Sequence, residues 1–114
     1  MERRNPRYTV WLPIRVEELP EGMAVTHNAS GRGLLVVTAS ALDVGSPVSV
    51  TIQLPPGGET EKSVHGRVVR VEPNDEDPDG MWPHRLAVEF DHPVPELEEV
   101  LKNLAGSGIA KIQR

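Results

Sequence analysis

The chain contains no cysteine, few aromatic side chains and no long apolar run. Without cysteine, disulfides and thiolate chemistry are excluded, and a zinc site would need histidine and carboxylate ligands alone. Only two Trp, one Tyr and one Phe occur among 114 residues, so the aromatic platform on which single-stranded nucleic acids stack is missing. Because no stretch is apolar enough for a membrane span or a signal-peptide core, we expect a soluble, cytoplasmic protein with no membrane contact.

Negative charge dominates the composition, with a formal net charge of −5 at pH 7. This balance argues against a nucleic-acid partner, because affinity for a phosphate backbone needs a broad basic surface. The charge is unevenly distributed, however, since residues 1–16 carry a net +3 and the remainder a net −8. A basic end of this kind suits a small, compact anion better than a long polyanion.

Sequence patterns for catalysis or metal binding are missing. The chain has no P-loop, no nucleophile elbow and no carboxylate pair with a defined spacing. None of the histidines has metal-ligand spacing to another: His27, His65, His84 and His92. We therefore expect a binding protein without a metal site, and not an enzyme.

Apolar and polar residues alternate in a way that predicts six short strands within a single domain. The predicted strands cover residues 8–16, 23–26, 34–38, 48–54, 62–72 and 86–90. Pro13 predicts a sheet edge or a bulge in the first strand, because proline has no backbone donor. In the fifth strand, which includes Gly66, Val64 and Val68 share one phase while Val69 and Val71 share the other, which predicts a bulge or bend. A long acidic loop, residues 73–84, follows this strand.

One helix is predicted near the end of the chain, over residues 95–104, with one packed face formed by Leu97, Val100, Leu101 and Leu104 at helical spacing. Pro95 suits a first helical position, glutamates fill the first turn, and Gly106 is a plausible stop. Six strands and one late helix indicate a mainly β fold, a six-stranded antiparallel β-barrel with the helix against one opening. The predicted organisation is a flexible basic arm (1–7), the barrel with its helix (8–106) and a tail without assigned structure (107–114).

Two short motifs stand out against this strand pattern. Asn28, Ser30 and Gly33 belong to a sharp turn that enters an apolar strand, because short polar side chains and glycine allow the chain to bend. Arg3 and Arg7 form an Arg-x-x-x-Arg pair directly before the first strand. The guanidinium groups of such a pair can bind a phosphate or the O6 and N7 atoms of guanine with two hydrogen bonds each.

Together these motifs resemble the two signatures of the PilZ family, RxxxR and [D/N]xSxxG. The similarity extends over nearly the whole chain, since the segments GRVVRV (66–71) and LAVEF (86–90) and the late helix follow in the family's order. The resemblance implies a PilZ-like split barrel that acts as a receptor for cyclic di-GMP. It adds two candidate positions, Arg4 as a further basic residue and Arg70 where relatives often place a stacking Trp. The candidate ligand-binding residues are then Arg3, Arg4, Arg7, Asn28, Ser30, Gly33 and Arg70.

The resemblance also implies how such a receptor works. Cyclic di-GMP is the ligand and no cofactor is needed; the ligand orders the arm, and the changed surface acts on an unknown downstream protein. A monomer and a ligand-dependent dimer both fit this mode of action. The alternative is a protein-interaction module of the same fold that binds no nucleotide.

Overall fold

The computed structural model describes residues 6–54, 60–77 and 79–113 of the chain. Within these ranges it contains eight β strands and one α helix. In chain order the elements are β1 (Tyr8–Thr9), β2 (Pro13–Val16), β3 (Met23–Ala29), β4 (Gly33–Thr38), β5 (Pro47–Leu54), β6 (Thr60–Pro73), β7 (His84–Phe90), α1 (Pro95–Gly106) and β8 (Lys111–Ile112).

Six of the strands close into an antiparallel barrel. Their order is β2-β5-β6-β7-β4-β3, and β3 pairs back with β2 to complete the ring. Strands β1 and β8 continue the sheet beyond β3, so β8 lies at its edge. The predicted mainly β fold, a six-stranded antiparallel barrel with one C-terminal helix, is confirmed.

The alternation seen in the sequence decides which side chains fill the barrel. In the first predicted strand every second residue is buried, as expected: Tyr8, Val10, Leu12, Ile14 and Val16. Fully burying each such side chain contributes about 1.5–3 kcal/mol to folding. The helix closes one end with the face that its spacing predicts: Leu97, Leu101 and Leu104 are buried, and Val100 is partly buried against the core.

The first predicted strand is split in two, and Thr26 of β3 bridges the break. The Thr26 hydroxyl accepts a hydrogen bond from the Leu12 amide at 2.8 Å and donates one to the Val10 carbonyl at 2.6 Å. Because Thr26 is fully buried, no water could replace these bonds. The irregularity predicted from Pro13 is therefore present, and the break ends directly before this proline.

Strand β3 accommodates the break with a bulge of its own. Its register against β4 shifts between Thr26 and Asn28, which makes His27 the extra residue. Against the other neighbour, Thr9 of β1 lies opposite Asn28, while Pro13 of β2 lies opposite Val25. The segment of residues 8–16 therefore pairs with β3 twice, through β1 at the end of β3 and through β2 at its start, and the barrel still closes.

The irregularity predicted in the fifth strand is present and lies at Val69. The register of β6 against β7 shifts between Val68 and Arg70, so Val69 has no partner of its own. Val69 and Arg70 are both exposed, and Val71 packs against the core again. Gly66 stands in an unbroken part of the ladder.

The helix and the tail differ from the sequence-based expectation at the C-terminal end. The helix continues two residues beyond Leu104, with Gly106 as its last residue, and the chain then reverses at Gly108 with φ of +85°. This reversal returns the tail to the barrel, where β8 pairs with β1. Two residues of the tail, which had no assigned structure, thus form an edge strand.

The acidic loop between β6 and β7 lacks helix and strand over its described residues, as predicted, but it is organised around the buried Asn74. The Asn74 amide nitrogen donates to the Trp82 carbonyl at 2.7 Å, and its oxygen accepts from Arg85 Nε at 3.2 Å. Arg85 also lies 3.4 Å from a carboxylate oxygen of Glu76. These contacts hold the loop against β7.

Candidate ligand-binding site

Arg7 and Asn28, one residue from each sequence motif, are in direct contact. Arg7 Nη1 donates a hydrogen bond of 2.7 Å to Asn28 Oδ1. The register of the sheet explains the contact, because Thr9 lies opposite Asn28. Arg7 precedes Thr9 by two residues and therefore projects from the same face of the sheet. Residues 21 positions apart in sequence are brought together by the β1–β3 pairing.

Register partners continue from this contact across the outer face of the barrel. Asn28 lies opposite Leu35, Leu35 opposite Ala87, and Ala87 opposite Arg70. Neighbouring strands are about 4.8 Å apart, so the backbones of Asn28 and Arg70 are separated by about 14 Å. The row therefore has polar groups at both ends and apolar side chains between them.

These residues line a cleft of about 430 Å³ on the outer face of the barrel. Volumes of this order are typical of small-molecule sites, in which an apolar surface is combined with a few polar groups. The lining residues are Arg7, Asn28, Arg32, Gly33, Leu35, Val69, Arg70, Ala87, Val88 and Glu89.

The electrostatics of the cleft favour an anion. The pKa of Arg7 is lowered from its ordinary value, first because the protein removes part of the water around the guanidinium and second because Arg70 is also positive. Both causes disfavour the charged form of Arg7 in the free protein. A phosphate in the cleft would reverse the second effect and give the guanidinium new hydrogen-bond acceptors.

Two other charged groups shape the field around Arg70. Glu72 lies on the same strand, and one of its carboxylate oxygens is 3.4 Å from Arg70 Nε. Glu89 lines the cleft beside the two arginines. Both carboxylates repel an anion, so an anion is attracted by Arg7 and Arg70 together only in the part of the cleft away from Glu72 and Glu89.

Ser30 has a structural part in the turn. Its side chain is only 3% exposed, and its hydroxyl accepts a hydrogen bond from the Arg32 amide at 3.1 Å. The Ser30 amide donates to the Gly33 carbonyl at 2.9 Å. These two bonds close the turn, and Ser30 is not among the described residues that line the cleft.

The turn also forms backbone hydrogen bonds with the segment between β7 and the helix. The Phe90 amide donates to the Arg32 carbonyl at 2.9 Å, and the Val94 amide donates to the Gly31 carbonyl at 2.7 Å. Since backbone bonds hold the turn on both sides, the Arg32 side chain starts from a fixed position at the edge of the cleft.

Gly33 permits the close approach of β4 to β7. A Cβ atom at this position would meet the carbonyl oxygen of Val88. The glycine of the second motif is therefore required by strand packing, in addition to any contact with a ligand. Its neighbours Val88 and Glu89 belong to the cleft wall, so the close packing also sets the shape of the wall.

The structure brings four of the predicted site residues to one cleft: Arg7, Asn28, Gly33 and Arg70. Ser30 lies in the turn beside it, and Arg3 and Arg4 lie outside the described residues, as does most of the predicted flexible arm. Sequence reasoning missed the other lining residues, which are Arg32, Leu35, Val69, Ala87, Val88 and Glu89. Arg32 could have been noticed, because it lies inside the second motif; the others depend on strand register and, for Val69, on the β6 bulge.

A second cleft, of about 390 Å³, lies between β6 and the start of α1. Its oppositely charged groups, Lys62 Nζ and Glu96 Oε2, already lie 3.6 Å from each other. Unlike the Arg7 cleft, this cleft has no arginine among its described lining residues, and its lysine is already paired with a carboxylate.

Across the described ranges, none of the helical structure has the length and apolar character that a bilayer crossing requires. The same residues include no group of three or more His, Cys, Asp or Glu side chains arranged to hold a metal ion.

The fold and the cleft together define a small β-barrel module with an arginine-lined cleft on its outer face. The chain belongs to the PilZ domain family, whose model matches residues 2–107. PilZ domains form a family of cyclic di-GMP receptors and are regulatory binding modules rather than enzymes.

Two solved structures have the same fold. The inhibitor of motility MotI/DgrA from Bacillus subtilis is 19% identical, with a TM-score of 0.69 over 95% of this chain. The PilZ domain of YcgR from Escherichia coli, solved with c-di-GMP, is 16% identical, with a TM-score of 0.67 over 94% of this chain and 91% of that chain. The present chain spans about half of the Bacillus protein, 51% of its length. Comparison with curated proteins found no significant match.

Proposed function

We propose that this protein is a cyclic di-GMP receptor that changes conformation when it binds the messenger and relays the signal to a partner protein. The observation that carries the proposal is the Arg7–Asn28 pair at one end of a cleft whose other end holds Arg70. Membership of the PilZ family and the presence of c-di-GMP in the YcgR structure support it.

The ligand offers groups that match the cleft. Cyclic di-GMP carries two phosphates and two guanines, and a guanidinium can pair with either in bidentate fashion or stack on a base. Arg7 is proposed to bind a phosphate or the O6 and N7 edge of a guanine. Arg70 is proposed to stack on, or pair with, the other end of the nucleotide. Leu35 and Ala87 supply the flat apolar surface between them.

Asn28 is proposed to contact a guanine directly. Its oxygen accepts the bond from Arg7, which leaves its amide nitrogen to donate to guanine O6 or N7. Ser30 and Gly33 are proposed to act mainly by holding the turn, while Arg3 and Arg4 approach the ligand from the segment before the first strand. The stoichiometry of a calorimetric titration distinguishes one bound ligand molecule from two.

The relay is proposed to start from Arg7, because it joins the barrel to the segment that precedes it. When the ligand draws the segment before Arg7 onto the cleft, the surface around the cleft changes, and a partner that recognises the changed surface is selected. We place this receptor in the cytoplasm and assign it no catalytic step, as the family resemblance implies.

Calorimetric titration with cyclic di-GMP tests the proposal. The parent protein should bind cyclic di-GMP and should bind cyclic di-AMP much less well, because adenine presents a different edge. Arg7→Ala should weaken binding about tenfold to a hundredfold, since a bond to a charged group contributes about 1.5–3 kcal/mol. Arg15→Ala is the matched control, an exposed strand arginine that does not line the cleft; its affinity should equal that of the parent.

A protein-interaction module without a nucleotide ligand is the second candidate, and one observation favours it. Trp11, in the break between β1 and β2, and Met23, at the start of β3, are 58% and 57% exposed, and large exposed apolar side chains often mark protein contacts. The same titration separates the candidates. A parent protein that releases no binding heat with cyclic di-GMP, at any ligand concentration tested, contradicts the receptor and leaves the docking module.

A further inference from the structure

The C-terminal tail forms a strand that lies beyond the matched part of the family model. The model ends at residue 107, and β8 comprises Lys111 and Ile112. Ile112 lies opposite Tyr8 and Lys111 lies opposite Thr9 in the antiparallel pairing with β1. The same register places Gln113 opposite Arg7. The tail is therefore attached to the arginine that the ligand site depends on.

Gln113 makes two contacts that fix this end of β1. Its backbone amide donates a hydrogen bond to the Arg7 carbonyl at 2.8 Å. Its side-chain nitrogen Nε2 donates to the hydroxyl of Thr9 at 2.9 Å. Cross-strand neighbours project from the same face of a sheet, so the Gln113 side chain stands beside Arg7 and not on the core side.

The tail is anchored at its other end by the helix. The amides of Ile109 and Ala110 both donate to the Leu104 carbonyl, at 2.9 and 3.1 Å, and Ala110 is buried in the core. A continuous set of backbone bonds thus runs from the end of α1, through β8, to the backbone of Arg7.

We propose that Gln113 is a positioning residue for Arg7 and that the tail strand is part of the nucleotide site. This inference rests on the proposed function and names a residue outside both signature motifs. Arg7 is a long side chain near the start of the described chain. Because Gln113 holds its backbone, Arg7 has fewer conformations in the free protein and therefore loses less conformational entropy when a ligand binds. Ordering one such side chain changes affinity by about two- to tenfold, and Gln113 is expected to contribute an effect of this size.

Two proline substitutions at adjacent residues test the proposal. Gln113→Pro removes the amide that donates to Arg7. Ile112→Pro is the matched control, because pairs in an antiparallel ladder alternate and the Ile112 amide points away from β1. Titration with cyclic di-GMP should show binding about two- to tenfold weaker for Gln113→Pro and unchanged for Ile112→Pro. Equal affinities for the parent and Gln113→Pro would overturn the proposal.

A positioning role also predicts that the effect disappears without Arg7. In an Arg7→Ala background, Gln113→Pro should cause no further loss of affinity, whereas a merely structural tail would lower affinity by the same factor in both backgrounds. Hydrogen exchange of the parent gives a second measurement that needs no variant. Saturating cyclic di-GMP should slow exchange of the Gln113 amide, and an unchanged rate contradicts the proposal.

These outcomes distinguish this inference from the proposed function. A parent protein that binds cyclic di-GMP while all tail variants bind equally well refutes only the role of Gln113. A parent protein that does not bind the messenger refutes the receptor function, and the role of Gln113 falls with it.

Discussion

Arg7 and Asn28 are joined by a hydrogen bond of 2.7 Å between Nη1 and Oδ1, although one residue precedes the first strand and the other lies near the end of the third. The bond aligns the guanidinium toward the cleft before any ligand is present. It also holds the Asn28 amide group in one orientation, with the nitrogen left to donate. The two side chains therefore act as a unit, and substitutions at the two positions should not have independent effects.

The first prediction concerns this coupling. Arg7→Ala and Asn28→Ala should each weaken cyclic di-GMP binding, and the double variant should bind about threefold or more tighter than the product of the two losses implies, because each single change already disables the pair. Calorimetric titration of the four proteins gives the cycle. Pairing Asn28→Ala with Arg15→Ala is the control and should be additive; additive losses for Arg7 and Asn28 themselves would show that the bond has no part in binding.

The second prediction concerns the glycine of the second motif. Gly33→Ala should lower the free energy of unfolding by about 1–3 kcal/mol, because its methyl group would meet the Val88 carbonyl and force the strands apart. Urea unfolding followed by circular dichroism measures this change.

Gly106→Ala provides a control of opposite sign. A Cβ atom at Gly106 would have no neighbour within 4 Å, and alanine favours the helix by about 0.5–1 kcal/mol relative to glycine. This variant should be as stable as the parent or more stable. If Gly33→Ala were equally harmless, the close packing of β4 on β7 would not require a glycine.

The third prediction concerns the break between β1 and β2, which gives Arg7 its place. Thr26→Val keeps the shape of the side chain but leaves the Leu12 amide and the Val10 carbonyl without their partner. Leaving a buried polar group unpaired costs about 1–3 kcal/mol, and the free energy of unfolding should fall by at least that amount. Thr51→Val is the control, because its hydroxyl lies in an exposed contact with Ser63; it should stay within about 0.5 kcal/mol of the parent.

A loss of stability in Thr26→Val should be accompanied by weaker binding of cyclic di-GMP. Without the bridge, the pairing that places Thr9 opposite Asn28 is no longer enforced, and Arg7 loses its position relative to Asn28. Stability lost with full retention of affinity would show that the register of β1 is set by other contacts.

Most of the fold could be predicted from the sequence, because burial imposes a period on each element. Alternation of period two from Tyr8 to Val16 identified the inner face of the first strand correctly, and helical spacing identified Leu97, Leu101 and Leu104 as the buried face of the helix. Each pattern is a property of one element and can be recognised without knowing its neighbours. The two signature motifs can likewise be recognised within short stretches of the sequence.

The sequence by itself thus determined that six strands and a helix form, which side chains face the core, and that an arginine motif precedes a polar turn. Only the tertiary structure decided that Arg7 meets Asn28, that the Val69 bulge brings Arg70 onto the outer face, and that Gln113 pairs with the Arg7 backbone. The reason is that alternation specifies a face but not a partner strand. Backbone donors and acceptors are the same for every residue, so the partner and its register are chosen by the closure of the whole barrel.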